Sequence, residues 1–248
     1  MVNNMDFDFD ANARNSYLYL WIRNYMMLVN DTVARLNLNF KNKTLLDIGI
    51  GRGRAIALYK RWNIKKIIGL DIDKNDALLA KKQAAKLAVD FTSIIDDANN
   101  QQLKRIPDKS FDIISVINTL HMVNKNTKKT IATELKRILK PDGVLIIMNL
   151  HKPSLFWLAT ILTQRQNQEF ISDKKLLSLL QPLNIVATSQ TNYFYIINSL
   201  YDHIRIIFGQ GISERFVILM ENLCRTLHIP GSATVFIFTR QSGILHSP

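Results

Sequence analysis

The sequence predicts an α/β fold built on a mostly parallel sheet, with helices covering both faces. Two observations support this prediction. Short, continuously apolar segments alternate with amphipathic helical patterns between residues 44 and 149, which is typical of parallel strands buried on both faces. A turn with three glycines follows the first of these segments, and an acid, Asp71, ends the second.

The N-terminal part of the chain supplies most of the predicted elements. An apolar repeat close to 3.6 residues predicts a helix over Asn12–Leu36. Apolar runs predict five strands, at Thr44–Ile48, Lys66–Leu70, Asp90–Ile95, Phe111–Ile117 and Val144–Asn149. Helices are predicted at Arg54–Trp62, Asn75–Leu87 and Thr127–Leu139. Asp73 or Asn75 is available to cap the middle helix, and the Pro-Asp-Gly turn that ends at Gly143 stops the last one.

The C-terminal third departs from simple alternation. Helical patterns cover Leu155–Leu162, Ser172–Leu180 and most of Tyr193–Leu227, and strands are predicted at Ile185–Thr191 and Ser232–Thr239. These two strands can pair if the helices between them fold over one end of the sheet. The sequence has no internal repeat, low-complexity tract or linker, so we expect a single domain over residues 1–248.

Composition places the chain among globular enzymes. Its 248 residues are 47% hydrophobic and 21% charged, which is enough for a large buried core. The one cysteine, Cys224, excludes an internal disulfide framework and a cysteine-based zinc site, and no metal is predicted. The first ten residues lack a signal-peptide pattern, and no apolar run approaches the roughly 20 residues of a membrane span. A cytoplasmic location is therefore expected.

The net charge of +12 raises the alternative of a nucleic-acid partner. The lysines and arginines are spread in small clusters, most of them on the polar faces or at the ends of predicted helices. Solvated helix surface is the usual explanation for such clusters. Nucleic-acid binding is therefore possible but not favoured.

The glycine turn and Asp71 together predict an adenosine-containing cofactor. Glycines at 49, 51 and 53 let the backbone approach a ligand, and an acid at the tip of the next strand can accept both ribose hydroxyls. A nicotinamide fingerprint would need its third glycine where this chain has Arg54. A Walker loop would need Gly-Lys-Ser/Thr, which is absent.

Five segments in this order resemble the motifs of class I S-adenosylmethionine-dependent methyltransferases. The first two are Leu45–Gly53, with its acid before a Gly-x-Gly-x-Gly turn, and the Gly-Leu-Asp71-Ile-Asp73 strand end. The Asp97-Ala98 pair is similar to the third, and Ser110–His121 and Glu134–Ile147 resemble the last two. The resemblance covers roughly residues 40 to 150 continuously.

The resemblance implies a Rossmann-like fold with seven strands, of which the last is inserted antiparallel beside the sixth. It further implies an N-terminal helical lid over 1–40, a cofactor-binding core over 41–150, and a C-terminal half over 151–248 with a helical insertion at about 193–227. The cofactor implied is S-adenosyl-L-methionine, with S-adenosyl-L-homocysteine as the product. Lids fit this chemistry because closure excludes water and aligns the acceptor.

The resemblance also implies roles for individual residues. Gly49, Gly51 and Gly53 would admit the methionine portion, Asp71 would bind the ribose, and Asp97 with the Ala98 N–H would bind the adenine. Asp96 is the alternative to Asp97. Asp47 would orient the loop or reach the cofactor's amino group through a water, with a purely structural role left open. Ile72 would cover the adenine unless it is core, and Asn118 would line the boundary between cofactor and acceptor.

Methyl transfer is an in-line displacement that depends mainly on alignment. A hydroxyl acceptor would benefit from a base, and His121, just past the fourth strand, is the candidate, with His151 second. The apolar segments Tyr193–Ile207 and Phe216–Leu227 favour a small or hydrophobic acceptor. The alternatives are a nucleic-acid methyltransferase and a non-catalytic protein that kept the fold.

Overall fold

The computed structural model describes residues 17–96, 101–154, 157–158, 161, 168–191, 207–209, 211–212, 215–216, 219–220, 223, 226–227 and 231–240. These residues contain seven strands in one sheet. The strands are β1 (Thr44–Ile48), β2 (Lys66–Asp71), β3 (Phe91–Ile95), β4 (Phe111–Ile117), β5 (Leu139–Leu150), β6 (Asn184–Thr191) and β7 (Ala233–Thr239).

The order of the strands in the sheet is β3-β2-β1-β4-β5-β7-β6. Strands β1 to β5 pair in parallel, whereas β7 runs antiparallel to both of its neighbours, β5 and β6. The predicted seven-stranded sheet with an inserted antiparallel last strand is confirmed. The two C-terminal strands pair with each other, in a register that joins Asn184 to Thr239 and Thr191 to Ala233.

Six helices have their bounds within the described residues and lie around the sheet. They are α1 (Tyr17–Ala34), α2 (Ile56–Arg61), α3 (Lys74–Lys86), α4 (Gln101–Arg105), α5 (Lys125–Ile138) and α6 (Asp173–Leu180). Three of them have side-chain caps that satisfy backbone N–H groups of their first turns, supplied by Asp73, Asn124 and Ser172. The caps explain why these helices begin where they do.

Two apolar layers separate the helices from the sheet. One layer joins α1, α2 and α3 to one face through residues such as Val29, Tyr59 and Ala80. The other joins α4, α5 and α6 to the opposite face through residues such as Leu103 and Leu135. Both faces of the central strands are therefore buried, which accounts for their continuous apolar sequences.

Several boundaries differ from the prediction. Strand β5 begins at Leu139 rather than Val144, because Leu139 pairs with Phe111 before the register shifts across the Pro-Asp-Gly segment. Helix α4 and a single 3₁₀ turn at Leu120–Met122 are additional. Both elements are too short to show an amphipathic repeat in the sequence.

Some predicted elements lie wholly or largely outside the described residues. These are the first residues of the Asn12–Leu36 helix, most of Leu155–Leu162, most of Tyr193–Leu227, and Cys224. Among the helices that are described, none combines the length and apolar character required to cross a bilayer.

Candidate cofactor site

A pocket of about 160 Å³ lies where β1 and β4 end and α1 passes over them. The carboxyl ends of parallel strands form the usual ligand-binding edge of an α/β sheet. The pocket brings together four of the residues that the sequence predicts for the site, Asp47, Gly49, Gly51 and Asn118. The other lining residues are Tyr25, Met26, Ile50, Arg52, Arg54, Ala55, Asp76 and Ile117.

The three glycines of the turn have positive φ angles, of 79°, 52° and 78° in chain order, but different surroundings. A Cβ on Gly49 would lie 2.2 Å from Oγ1 of Thr119, and a Cβ on Gly53 would lie 2.8 Å from Cα of Ala80 in α3. A Cβ on Gly51 would meet nothing within 4 Å. Gly49 and Gly53 therefore allow close packing within the protein, whereas the space beside Gly51 is open.

Asp71 connects the turn to the end of β2. Its Oδ2 accepts a 2.6 Å hydrogen bond from the Gly51 N–H, and its Oδ1 accepts a 3.0 Å bond from the Asp73 N–H. Each carboxylate oxygen can accept a second hydrogen bond. Asp71 is thus held in place by the backbone and keeps acceptor capacity for a diol.

Asp47 is buried at the end of β1 and is held on one side only. Its Oδ2 accepts a 2.8 Å hydrogen bond from the Tyr59 hydroxyl, which lies 2.7 Å from Oγ of Ser115 on the neighbouring strand. Because the one Tyr59 proton goes to Asp47, Ser115 donates to Tyr59. Within the described part of the chain, Oδ1 of Asp47 has no hydrogen-bond partner. Burial raises the pKa of Asp47 to about 7, and the negative charge of Asp71 also raises it.

Asn118 brings a second unpartnered oxygen to the same pocket. It follows β4 with a φ of 57°, which asparagine tolerates better than most residues. Its Oδ1 is buried and has no partner among the described residues. Buried acceptors without partners are rare in proteins. The acceptors of Asp47 and Asn118 therefore indicate a ligand that carries N–H donors, such as an ammonium group.

Arg54 and Tyr25 line the pocket, although the sequence analysis did not predict either of them as a site residue. Burial raises the pKa of the Tyr25 phenol well above its usual value, and the nearby positive charge of Arg54 opposes that rise. Arg54 thus brings a cation into a pocket that also contains the carboxylate of Asp47. In the sequence Arg54 directly follows the last glycine of the turn. This position is the sequence feature that could have indicated its place in the pocket.

Of the remaining predicted cofactor residues, Gly53, Asp71 and Ile72 do not line the pocket, and two others lie outside the described residues. Ile72 follows Asp71 and is 70% exposed, so its apolar face is available to a flat ring. Ile95 at the end of β3 pairs with Asp71 and is also exposed. Asp97 and Ala98 lie outside the described residues. The N–H of Asp96 donates to the Asp71 carbonyl at 2.9 Å, which extends the pairing of β2 with β3.

The two candidate histidines have different environments. His121 is 6% exposed, stacks on Phe170 at a ring distance of 5.9 Å, and is not among the residues that line the pocket. Burial and the positive charge of Lys128 lower its pKa to about 4. His151 follows β5, and its Nδ1 lies 3.3 Å from Oδ2 of Asp173 and 3.2 Å from Oγ1 of Thr234.

Known proteins give an independent view of this chain. Residues 46–147 match the model of the methyltransferase domain family. A mitochondrial ubiquinone biosynthesis O-methyltransferase from Dictyostelium discoideum is 24% identical over an alignment of 161 residues, and the match covers 60% of this chain and 48% of that protein. The chain thus spans about half the length of this curated relative.

Solved structures share the fold. An S-adenosylmethionine-dependent methyltransferase from Archaeoglobus fulgidus superposes with a TM-score of 0.58 at 18% identity, over 90% of this chain and 99% of that one. The geranyl diphosphate C-methyltransferase of Streptomyces coelicolor gives a TM-score of 0.60 at 16% identity, over 88% of this chain and 80% of that one. At these identities the likeness concerns the fold.

Residues 46–147 thus match a methyltransferase domain, and the fold is that of solved methyltransferases whose cofactor is S-adenosylmethionine. The residues present fit this molecule. The unpartnered oxygens of Asp47 and Asn118 suit its ammonium group, the open space beside Gly51 suits its chain, and Asp71 suits its ribose. When bound, this cofactor supplies an electrophilic methyl group on a sulfonium.

Proposed function

We propose that the chain methylates a small or hydrophobic acceptor, with the cofactor held in the pocket between the glycine turn and α1. The observation that carries this proposal is the pair of buried, unpartnered oxygens of Asp47 and Asn118 beside the open space at Gly51. Asp47 and Asn118 hold the amino group of the methionine portion, and Arg54 binds its carboxylate. Asp71 accepts the ribose hydroxyls, and Ile72 covers one face of the adenine.

An acceptor at the carboxyl ends of β4 and β5 would lie next to this pocket. Large apolar side chains are exposed in the described residues of the C-terminal segment, including Ile207, Phe208, Phe216 and Leu219. Exposed apolar residues of this size often mark binding surfaces. They support a small or hydrophobic acceptor, as does the name of the ubiquinone biosynthesis relative.

If the acceptor is a hydroxyl, His151 is better suited than His121 to take its proton. Asp173 is fixed by hydrogen bonds from Thr234 at 2.7 Å and from the Asn149 amide at 2.7 Å. A fixed carboxylate orients an imidazole and stabilises the cation that forms on it. A neutral His121 with a pKa of about 4 is a weak base and lacks such a carboxylate among its described contacts.

Methyl transfer from radiolabelled cofactor tests the proposed function. Purified protein is incubated with organic extracts and, separately, with RNA from the same cells. Label in organic-extractable material is the expected result, whereas label only in RNA would contradict a small or hydrophobic acceptor. Once an acceptor has been identified, its methylation can be measured in two variants. His151→Gln should lower kcat far more than His121→Gln. An equal effect of the two substitutions would overturn the assignment of the base.

A further inference from the structure

A second cavity, of about 380 Å³, lies between α5 and α6 and is distinct from the cofactor pocket. Five lysines line it, together with Glu169 and the apolar residues Phe170, Ile171 and Leu179. The lysines are Lys125, Lys128, Lys129, Lys152 and Lys175. They come from three separate parts of the fold, namely α5, the segment after β5, and α6. We define this set of residues as the lysine cavity.

The positive charge of the lysine cavity is poorly balanced within the protein. Among the residues that the structure describes, none of its five lysines makes a salt bridge, and Glu169 is the one acid in the lining. Like charges drawn together around a concavity repel one another and focus a positive potential into it. Such an arrangement costs stability unless an anion binds there.

Among the five lysines, Lys128 gives the strongest support for a bound anion. Its side chain lines the cavity, and the residue is 4% exposed. Its ammonium donates to the carbonyl of Val123, a neutral acceptor. Lysine is seldom buried to this degree without an ionic partner. Glu169 supplies part of the counter-charge of Lys128, and an anion in the cavity would supply more.

The volume and lining of the lysine cavity indicate which class of ligand it can hold. The volume of the cavity is in the range of small-molecule pockets, and its lining includes the apolar side chains of Phe170, Ile171 and Leu179. Lysine binds phosphate as a compact point charge without demanding a fixed geometry. We propose that the lysine cavity binds the phosphate or diphosphate group of a small organic molecule, in a site separate from the cofactor pocket.

Calorimetric titration of the protein with inorganic pyrophosphate tests this proposal. Lys125→Gln/Lys152→Gln removes two exposed members of the cavity, and Lys81→Gln/Lys82→Gln removes two exposed lysines of α3. We expect saturable binding that weakens about tenfold or more in the first variant and is unchanged in the second. Lys128→Met is a further variant and should abolish binding.

Titration with S-adenosylhomocysteine separates failure of this site from failure of the cofactor site. All three variants should bind that molecule as the wild-type protein does. Absence of pyrophosphate binding by the wild-type protein would overturn the proposal. It would also be overturned if both double variants lost pyrophosphate binding equally. Tight binding of single-stranded RNA that weakens equally in both double variants would instead show diffuse surface charge, and would also overturn it.

Discussion

The hydroxyl of Tyr59 donates a 2.8 Å hydrogen bond to Oδ2 of Asp47, and this bond fixes a buried carboxylate at the base of the cofactor pocket. Asp47 belongs to β1, Tyr59 to α2, and Ser115, which supports the tyrosine, to β4. Three elements thus converge on one carboxylate. The arrangement leaves Oδ1 of Asp47 without a partner within the described residues, and so available to the cofactor.

Removal of the Tyr59 hydroxyl should weaken cofactor binding. Tyr59→Phe leaves a buried carboxylate oxygen without its donor, which costs about 1–3 kcal/mol and raises the pKa of Asp47 further. Calorimetry should show an affinity for S-adenosylhomocysteine at pH 7 reduced by about tenfold. Phe238→Leu is the control, since it destabilises the β7 core by a similar amount and should leave the affinity unchanged. Equal affinity of Tyr59→Phe and wild type would contradict this role.

Cofactor affinity should depend on pH through Asp47. Burial raises the pKa of its carboxyl to about 7, and only the charged form attracts the ammonium group. The affinity for S-adenosylhomocysteine should therefore rise as the pH increases from 5.5 to 7 and level off above that. The slope should approach about tenfold per pH unit at the acidic end. In Asp47→Asn the profile should be flat and the affinity low; a sloping profile in that variant would assign the titration to another group.

The same carboxyl should lower stability at alkaline pH. The pKa of Asp47 is about 7 in the folded protein against an ordinary value of 3.8. Between these values the folded protein holds a proton that the unfolded chain has released, so the contribution of Asp47 to stability falls as the pH rises. Asp47→Asn should raise the free energy of unfolding by roughly 1–3 kcal/mol at pH 8 and by little at pH 4. Urea denaturation at both pH values measures this, and a decrease at pH 8 would contradict it.

Replacement of Gly49 and Gly51 by alanine should have different effects on stability and on cofactor binding. Gly49→Ala places a methyl against the side chain of Thr119, which is anchored to the carbonyls of Ile48 and Ile117. We expect a loss of about 2–4 kcal/mol of stability, partly restored by adding Thr119→Ala. Gly51→Ala meets no protein atom, so it should cost about 1 kcal/mol through its positive φ.

Ligand binding separates these two variants further. The methyl of Gly51→Ala stands in the space assigned to the cofactor and should lower the affinity for S-adenosylhomocysteine by more than about tenfold. Thermal denaturation and calorimetry on both variants give the comparison. If Gly51→Ala bound as tightly as the wild type, the cofactor would not pass beside this residue.

Much of the fold could be predicted from the sequence because each strand is short, apolar and followed by a distinct turn. The antiparallel position of β7 between β5 and β6 could be predicted only from the family resemblance. The sequence of β7 indicates a strand but does not indicate which strands pair with it. The 3₁₀ turn at Leu120–Met122 could not be predicted, because three residues are too few to show a periodic pattern.

The candidate site was predictable in its acids and glycines but not in its supporting residues. Asp47 and Asp71 stand at strand ends, where sequence position alone suggests a role. Tyr59 and Ser115 gave no sequence signal, because their contact joins residues 56 positions apart. The sequence analysis used Arg54 only to exclude a dinucleotide fingerprint and did not predict that it lines the pocket. The different contacts of His121 and His151 likewise arise from tertiary packing.

The central claim is that the cofactor binds with Asp71 on its ribose, and calorimetric titration of Asp71→Ala with S-adenosylhomocysteine tests it most directly. Asp142→Ala is the control, since it removes an exposed carboxylate in the turn before the buried part of β5. We predict wild-type affinity for Asp142→Ala and a loss of at least about thirtyfold for Asp71→Ala. Wild-type affinity in Asp71→Ala, or no binding by the wild-type protein, would contradict the site described here.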